Sequence, residues 1–154
     1  MSLIERLGED YKNLPDILTE YEAILSEDLV SPRLQIKGKN LEAANAEHAA
    51  WHLYYESRRA EMSSLVKFFD AKTAAVRGQL FKKFTEHYNR DLSDRQKDKY
   101  IDNEQKYLDQ IEVYLEIKEI YEKYEAVCNA FQSRGYALNN ITKIRVASLE
   151  SVII

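Results

Sequence analysis

Glycine and proline are scarce in this sequence of 154 residues, which contains only 4 Gly and 2 Pro. A β-sheet protein needs a turn about every 8–12 residues, and its turns draw heavily on these two residue types. The sequence therefore predicts an all-α fold. Long apolar runs are also missing, as is an N-terminal stretch of basic and then apolar residues. We therefore expect neither a membrane-spanning helix nor a secretory leader.

Residues for catalysis are equally sparse. The sequence has a single cysteine, Cys128, which excludes a disulfide framework and is typical of proteins in a reducing compartment. Because Cys128 lies among apolar residues, we interpret it as a buried side chain and not as a reactive thiol. His48 and His52 have the i, i+4 spacing of two metal ligands, but His87, the third histidine, is too distant in sequence to complete a site. No two glycines are close enough to form a phosphate-binding loop. We therefore expect no enzyme activity, no metal and no cofactor.

Positive charge is concentrated in the middle of the chain, although the net charge is −4. Between Ser57 and Thr85 there are seven basic residues and two acidic ones. Basic side chains neutralise phosphates, and aromatic rings near them can stack unpaired bases. A solvated outer helix face is the alternative interpretation. The candidate DNA-binding residues are Arg58, Arg59, Lys67, Lys72, Arg77, Lys82 and Lys83.

Apolar periodicity and capping residues predict long helices joined by short ones. The pattern fails between Ser26 and Lys39, where we expect a loop. Asn40 is the predicted N-cap of the first long helix, and Gly135 is expected to stop the second. We predict one helical domain over residues 1–154. It consists of short helices and a loop over 1–40, a long helix over 41–89, a second long helix over 93–134 and a C-terminal helical piece over 137–154.

The second long helix carries more apolar surface than one neighbour can cover. Tyrosines recur every seven residues along it, and a further apolar stripe lies on its other side. The second stripe predicts contacts between copies of the chain. The apolar end, residues 152–154, is likewise expected to be buried in a neighbouring copy. The predicted oligomerisation residues are Tyr107, Tyr114, Tyr121, Phe131, Gly135, Tyr136, Ile141 and Ile144.

Two runs of sequence resemble a known family. Leu41-Glu42-Ala43-Ala44-Asn45 opens the first long helix, and a run from Gln132 to Ile141, which contains Ser-Arg-Gly-Tyr, closes the second. Both are similar to the UvsY recombination mediators of T4-like phages, with a resemblance over roughly residues 16–146. Residues 1–15 are an N-terminal extension relative to that family.

The resemblance implies an all-helical protein of long antiparallel helices that assembles into a closed ring, a heptamer in the family's best-known member. It implies binding to single-stranded DNA, displacement of the single-strand binding protein and loading of the phage recombinase, in the cytoplasm of the infected host cell and without an active site. The family's Lys-x-Arg motif falls on Arg77 and Gln79, so one basic residue is missing, for which Lys82 and Lys83 would compensate. The alternative function is a structural coiled-coil or scaffold oligomer that binds no nucleic acid.

Overall fold

The computed structural model describes residues 1–88 and 90–147, and the regular elements of that part of the chain are all helical. The predicted all-α fold class is therefore confirmed. None of the helices in these two ranges is both long and apolar enough to cross a membrane. The helices are α1 (Leu3–Arg6), α2 (Leu14–Ile24), α3 (Glu27–Leu34), α4 (Leu41–Glu86), α5 (Asp94–Asp102) and α6 (Gln105–Ala147), with a 3-10 turn at Glu9–Tyr11.

The longest helix, α4, begins where its capping residue predicts. The Oδ1 atom of Asn40 accepts hydrogen bonds from the backbone N–H groups of Glu42 and Ala43, at 2.9 and 3.2 Å. Asn40 is thus the N-cap, as predicted. The 46 residues of α4 correspond to a length of about 70 Å at 1.5 Å per residue. The helix ends at Glu86, and Asn89, its predicted end, lies outside the described residues.

The loop expected between Ser26 and Lys39 is wrong for its first part, which forms the two-turn helix α3, whereas residues 35–39 lie outside the helices. The first turn of α3 carries Glu27 and Asp28, where the helix dipole favours negative charge, and Val30 is buried. Pro32 has no backbone N–H, so α3 lacks the one hydrogen bond that residue 32 would donate to residue 28, and the helix ends two residues later.

The predicted boundaries of the second long helix are also wrong. Ser93 caps α5 through a capping box with Gln96, but α5 ends at Asp102 and α6 begins only at Gln105. Gly135 does not stop α6, which continues to Ala147, because this glycine does not adopt the positive φ of a helix-terminating residue. The C-terminal piece is therefore continuous with α6 as far as Ala147, and residues 148–154 lie outside the described part of the chain.

The chain divides into two compact units. Unit 1 comprises residues 1–13 and 61–121, and unit 2 comprises residues 14–60 together with the chain from Glu122 onward. Each unit therefore contains a segment of α4 and a segment of α6. The buried core of unit 1 consists of Leu3, Leu7, Met62, Leu65, Phe69, Leu80, Phe84, Ile101, Ile117 and Ile120, and that of unit 2 of Leu14, Ile17, Leu18, Tyr21, Val30, Ala44, Tyr55, Tyr124, Cys128, Phe131 and Leu138.

In unit 1 the N-terminal extension forms part of the core. Gly8 has φ +73°, a conformation that glycine adopts without steric cost, and it turns the chain after α1. The turn brings the ring of Tyr11 to Phe68 and Phe69, with centroid distances of 5.7 and 5.4 Å. The extension therefore packs directly against α4.

In unit 2 the segments of α4 and α6 are antiparallel. Asn45 near the start of α4 contacts Thr142 near the end of α6, whereas Tyr55, further along α4, stacks on Phe131, earlier in α6, at 5.2 Å. Cys128 is buried in the same core, as predicted.

Candidate nucleic-acid interface

Three of the seven predicted DNA-binding residues have exposed ammonium groups on α4 in unit 1. Lys67, Lys72 and Lys82 have no ion pair with any residue in the part of the chain that the structure describes. The Lys72 ammonium lies 5.3 Å from the centroid of the Phe68 ring, at the edge of the packed N-terminal turn. Ammonium groups without a carboxylate partner are available to phosphates.

Arg77 is engaged inside unit 1 and is not a free cation. Its guanidinium nitrogens lie 3.0 Å from Oδ1 of Asp98 and 3.0 Å from Oδ1 of Asp102, both on α5. The guanidinium carbon also lies 5.2 Å from the centroid of the Tyr107 ring. The hydrogen bond with Asp102 is the largest of the effects that raise the pKa of Arg77 above its ordinary value. Arg77 therefore holds α5 against α4.

Lys83 is the second predicted DNA-binding residue of unit 1 that has an acidic partner. Its Nζ atom lies 3.5 Å from Oε1 of Glu104, which precedes α6. The pair is partly exposed, so the attraction between the two charges is weakened by solvent. Lys83 thus contributes less positive potential than Lys82, its neighbour in sequence.

Arg58 and Arg59 lie on α4 in unit 2 and are both half-buried. The guanidinium of Arg58 stacks over the Tyr54 ring at 4.2 Å. Arg59 forms an ion pair with Glu56 at 2.7 Å.

The structure therefore divides the seven predicted residues into three exposed lysines in unit 1, one arginine stacked on a tyrosine in unit 2, and three cations with acidic partners.

Arg134, in the Ser-Arg-Gly-Tyr run, is buried in unit 2, with only 4% of its surface exposed. Its guanidinium donates hydrogen bonds to the carbonyl oxygens of Leu34 at 3.1 Å and Ala44 at 3.4 Å. It also donates to the Glu47 carboxylate at 3.2 Å. These bonds join the end of α3 and the first turns of α4 to α6. The sequence contains the motif but gives no sign of which atoms it would contact.

His48 accepts a further hydrogen bond from Arg134. The distance from the guanidinium to Nδ1 is 3.1 Å, and because a guanidinium can only donate, the proton of the neutral imidazole is on Nε2. Burial, followed by the charges of Arg134 and His52, lowers the pKa of His48. The rings of His48 and His52 are 5.8 Å apart, but no group of three potential metal ligands occurs among residues 1–88 and 90–147.

The predicted oligomerisation residues differ in exposure. Phe131 is fully buried in the core of unit 2, whereas Tyr107 is half-buried and packs against the Leu80, Phe84 and Ile101 cluster of unit 1. Gly135 faces the ring of His48. Tyr114, Tyr121 and Ile141 are half-buried, whereas Tyr136 and Ile144 are exposed.

Comparison of the chain with protein-family models, with curated proteins and with solved structures gave no match. The resemblance of the two sequence runs to recombination mediators stays a prediction.

Proposed function

We propose that this protein is a phage recombination mediator, which binds single-stranded DNA and promotes loading of the recombinase onto strands covered by single-strand binding protein. The observation that carries the proposal is the set of three exposed lysines on α4, Lys67, Lys72 and Lys82, which form no ion pair within residues 1–88 and 90–147. Although the chain has more acidic than basic residues, these cations pair with no carboxylate in the described part of it and are available to phosphates. The resemblance of the two runs supports the more specific role in recombination.

Binding in this proposal is mainly to phosphates and depends little on base sequence. Each lysine that meets a phosphate releases a condensed counterion, so affinity decreases as salt rises, with a slope of about 0.7 per contact on single strands. A homo-oligomer, such as the heptameric ring that the resemblance implies, would repeat the three lysines in every copy. Many weak contacts along one strand then add up to tight binding.

Replacing the three lysines tests the phosphate contacts directly. We expect Lys67→Gln/Lys72→Gln/Lys82→Gln to weaken binding of a fluorescent oligo-dT and to reduce the salt slope by about 2 for each copy that contacts the strand. Anisotropy titrations at several salt concentrations measure both quantities, and a duplex of equal length tests strand preference. Loading is then measured as recombinase ATPase on strands coated with single-strand binding protein.

A matched control removes the same charge elsewhere. Lys37→Gln/Lys106→Gln/Lys143→Gln also replaces three exposed lysines, on the α3–α4 loop and on α6. We expect it to bind nearly as wild type does. Equal weakening by both triple variants would indicate a nonspecific effect of net charge and would contradict the assignment to α4.

A structural scaffold is the second candidate function, and exposed apolar side chains favour it. Leu53, Tyr136 and Val146 are 68%, 64% and 70% exposed in the single chain. Large exposed apolar residues are typical of surfaces that associate. The titration separates the two functions, since a scaffold would show no binding to oligo-dT even at low salt.

A further inference from the structure

A cleft of about 540 Å³ lies in unit 1 where α4 ends and α5 begins. Its volume is in the range of small-ligand sites, which is about 300–1,000 Å³. The side chains that line it include Tyr88, Tyr100, Gln96, Arg90 and Asp91. An adjoining cleft of about 330 Å³ shares Gln96 and Tyr100 and is also lined by Lys99.

Two exposed tyrosine rings form one wall of the cleft. Tyr88 and Tyr100 are 43% and 45% exposed, and their centroids are 5.7 Å apart. Behind them, the buried ring of Phe84 stacks on Tyr100 at 5.6 Å. The same Phe84 ring lies 5.8 Å from the ring of Tyr88, and the neighbouring Tyr100 raises the pKa of Tyr88. Both rings thus pack on the buried ring of Phe84, and each tyrosine keeps nearly half of its surface exposed.

Gln96 presents a positioned hydrogen-bond donor beside these rings. Its Oε1 atom accepts bonds from the backbone N–H and the hydroxyl of Ser93, at 3.0 and 3.2 Å, in the capping box of α5. This fixes which end of the amide is the oxygen, so Nε2 is the end with two N–H groups to donate. An exocyclic carbonyl oxygen of a base is a suitable acceptor.

The two charged side chains that line the cleft, Arg90 and Asp91, have opposite signs, so together they give it no net positive charge to hold a phosphate. Asp91 lines the cleft, and its carboxylate repels phosphate. Arg90 lines the same cleft and has no ion pair with any residue described by the structure. Its cation can meet the backbone of a strand whose base is in the cleft.

We propose that this cleft binds an unpaired base of single-stranded DNA, stacked on Tyr88 and Tyr100 and hydrogen-bonded by Gln96. The proposal rests on the proposed function and adds to it a contact that depends on bases. A base in a duplex is already stacked and paired, so the cleft would also explain a preference for single strands. Stacking on aromatic side chains tolerates any base, which suits binding without sequence preference.

The test compares two fluorescent oligonucleotides of equal length, oligo-dT and an abasic strand with the same phosphates. We expect wild-type protein to bind oligo-dT at least about fivefold more tightly. Tyr88→Leu and Tyr100→Leu should reduce that ratio towards one and leave the affinity for the abasic strand unchanged. Tyr100→Phe, which keeps the ring, should retain the wild-type ratio.

The outcomes separate this inference from the proposed function. A wild-type ratio of one, or a ratio that both leucine variants retain, overturns the base-binding cleft while phosphate binding stands. Failure to bind either strand overturns both proposals. Circular dichroism checks folding, and because Tyr88 lies outside the helices, Tyr88→Leu still provides the test if Tyr100→Leu does not fold.

Discussion

At the scale of single residues, the contact between Arg134 and His48 in unit 2 determines the protonation state that the histidine must have. Burying a guanidinium is costly unless it is paired and hydrogen-bonded, and Arg134 has carbonyl, carboxylate and imidazole partners. Because the imidazole accepts through Nδ1, protonation of His48 would place an N–H group and a positive charge against the guanidinium. The contact therefore requires neutral His48.

This requirement predicts that the protein becomes less stable on mild acidification. The pKa of His48 is lower in the folded protein than its ordinary value of 6.5, so the unfolded chain binds the proton more readily. Neutral His48 should contribute fully to the free energy of unfolding above pH 6.5. This contribution should be lost as the pH falls through the pKa that His48 has in the folded protein. Urea denaturation at intervals from pH 7.5 to 5 measures the effect.

Two variants identify the group responsible. His48→Gln should flatten this pH dependence, because the titrating group is absent. His87→Gln, in which an exposed histidine of unit 1 is replaced, should retain the wild-type profile. If wild type and His48→Gln have the same pH dependence, the loss of stability has another origin.

At the scale of helices, the two helical glycines have different surroundings. A Cβ atom added to Gly78 on α4 would have no atom within 4 Å, whereas one added to Gly135 on α6 would lie 2.7 Å from Nε2 of His48. We expect Gly78→Ala to stabilise the protein by about 1 kcal/mol, since alanine is the better helix former. Gly135→Ala should destabilise it by about 1 kcal/mol, because overpacking exceeds that gain.

Urea denaturation of both variants at pH 7.5 measures the difference. His48 cannot easily move aside, since Arg134 hydrogen-bonds its Nδ1 atom. Equal stabilisation by the two substitutions would show that the imidazole ring is free to shift, and would contradict the close packing of His48 against Gly135.

The sequence predicts those parts of the fold that depend on local signals. The N-cap Asn40 and the apolar periodicity of α4 lie in short windows of sequence, and they locate the start of this helix correctly. The role of Gly135 could not be predicted, because glycine both terminates helices and permits close packing, and only the position of His48 distinguishes these uses. The helix within residues 26–39 could not be predicted either, because a short helix with little amphipathic pattern shows only weak apolar periodicity in the sequence.

The candidate site is predictable only in part for the same reason. Composition identifies a basic segment on α4, but the availability of each cation depends on partners from other helices. Arg77 meets Asp98 and Asp102 through an approach of α5 that no local pattern specifies. The cleft at Tyr88 and Tyr100 combines the end of one helix with the start of another, so periodicity along either helix does not reveal it.

At the scale of the whole molecule, Leu108 and Leu115 are candidates for contacts between copies of the chain. They are seven residues apart on α6 in unit 1 and are 43% and 54% exposed. If assembly buries the exposed part of each, at about 1 kcal/mol per leucine, Leu108→Gln/Leu115→Gln should weaken association by about 30-fold. Light scattering over a dilution series measures the mass, with Ile4→Gln as a control at another exposed apolar position.

An unchanged mass for the double variant would remove these two leucines from the interface, and a monomeric wild type would contradict assembly altogether. Point substitutions are preferable to deletion of residues 137–154. Leu138 is only 1% exposed, so such a deletion would cut into the core of unit 2 and confuse misfolding with loss of assembly.

Cys128 has a practical consequence for spectroscopy. Burial raises the pKa of its thiol to about 12, so at neutral pH almost none of it is the reactive thiolate. The chain has no other cysteine. A cysteine introduced on the surface would therefore be the favoured target of a maleimide dye, and the native sequence can serve directly as the background for site-specific labelling.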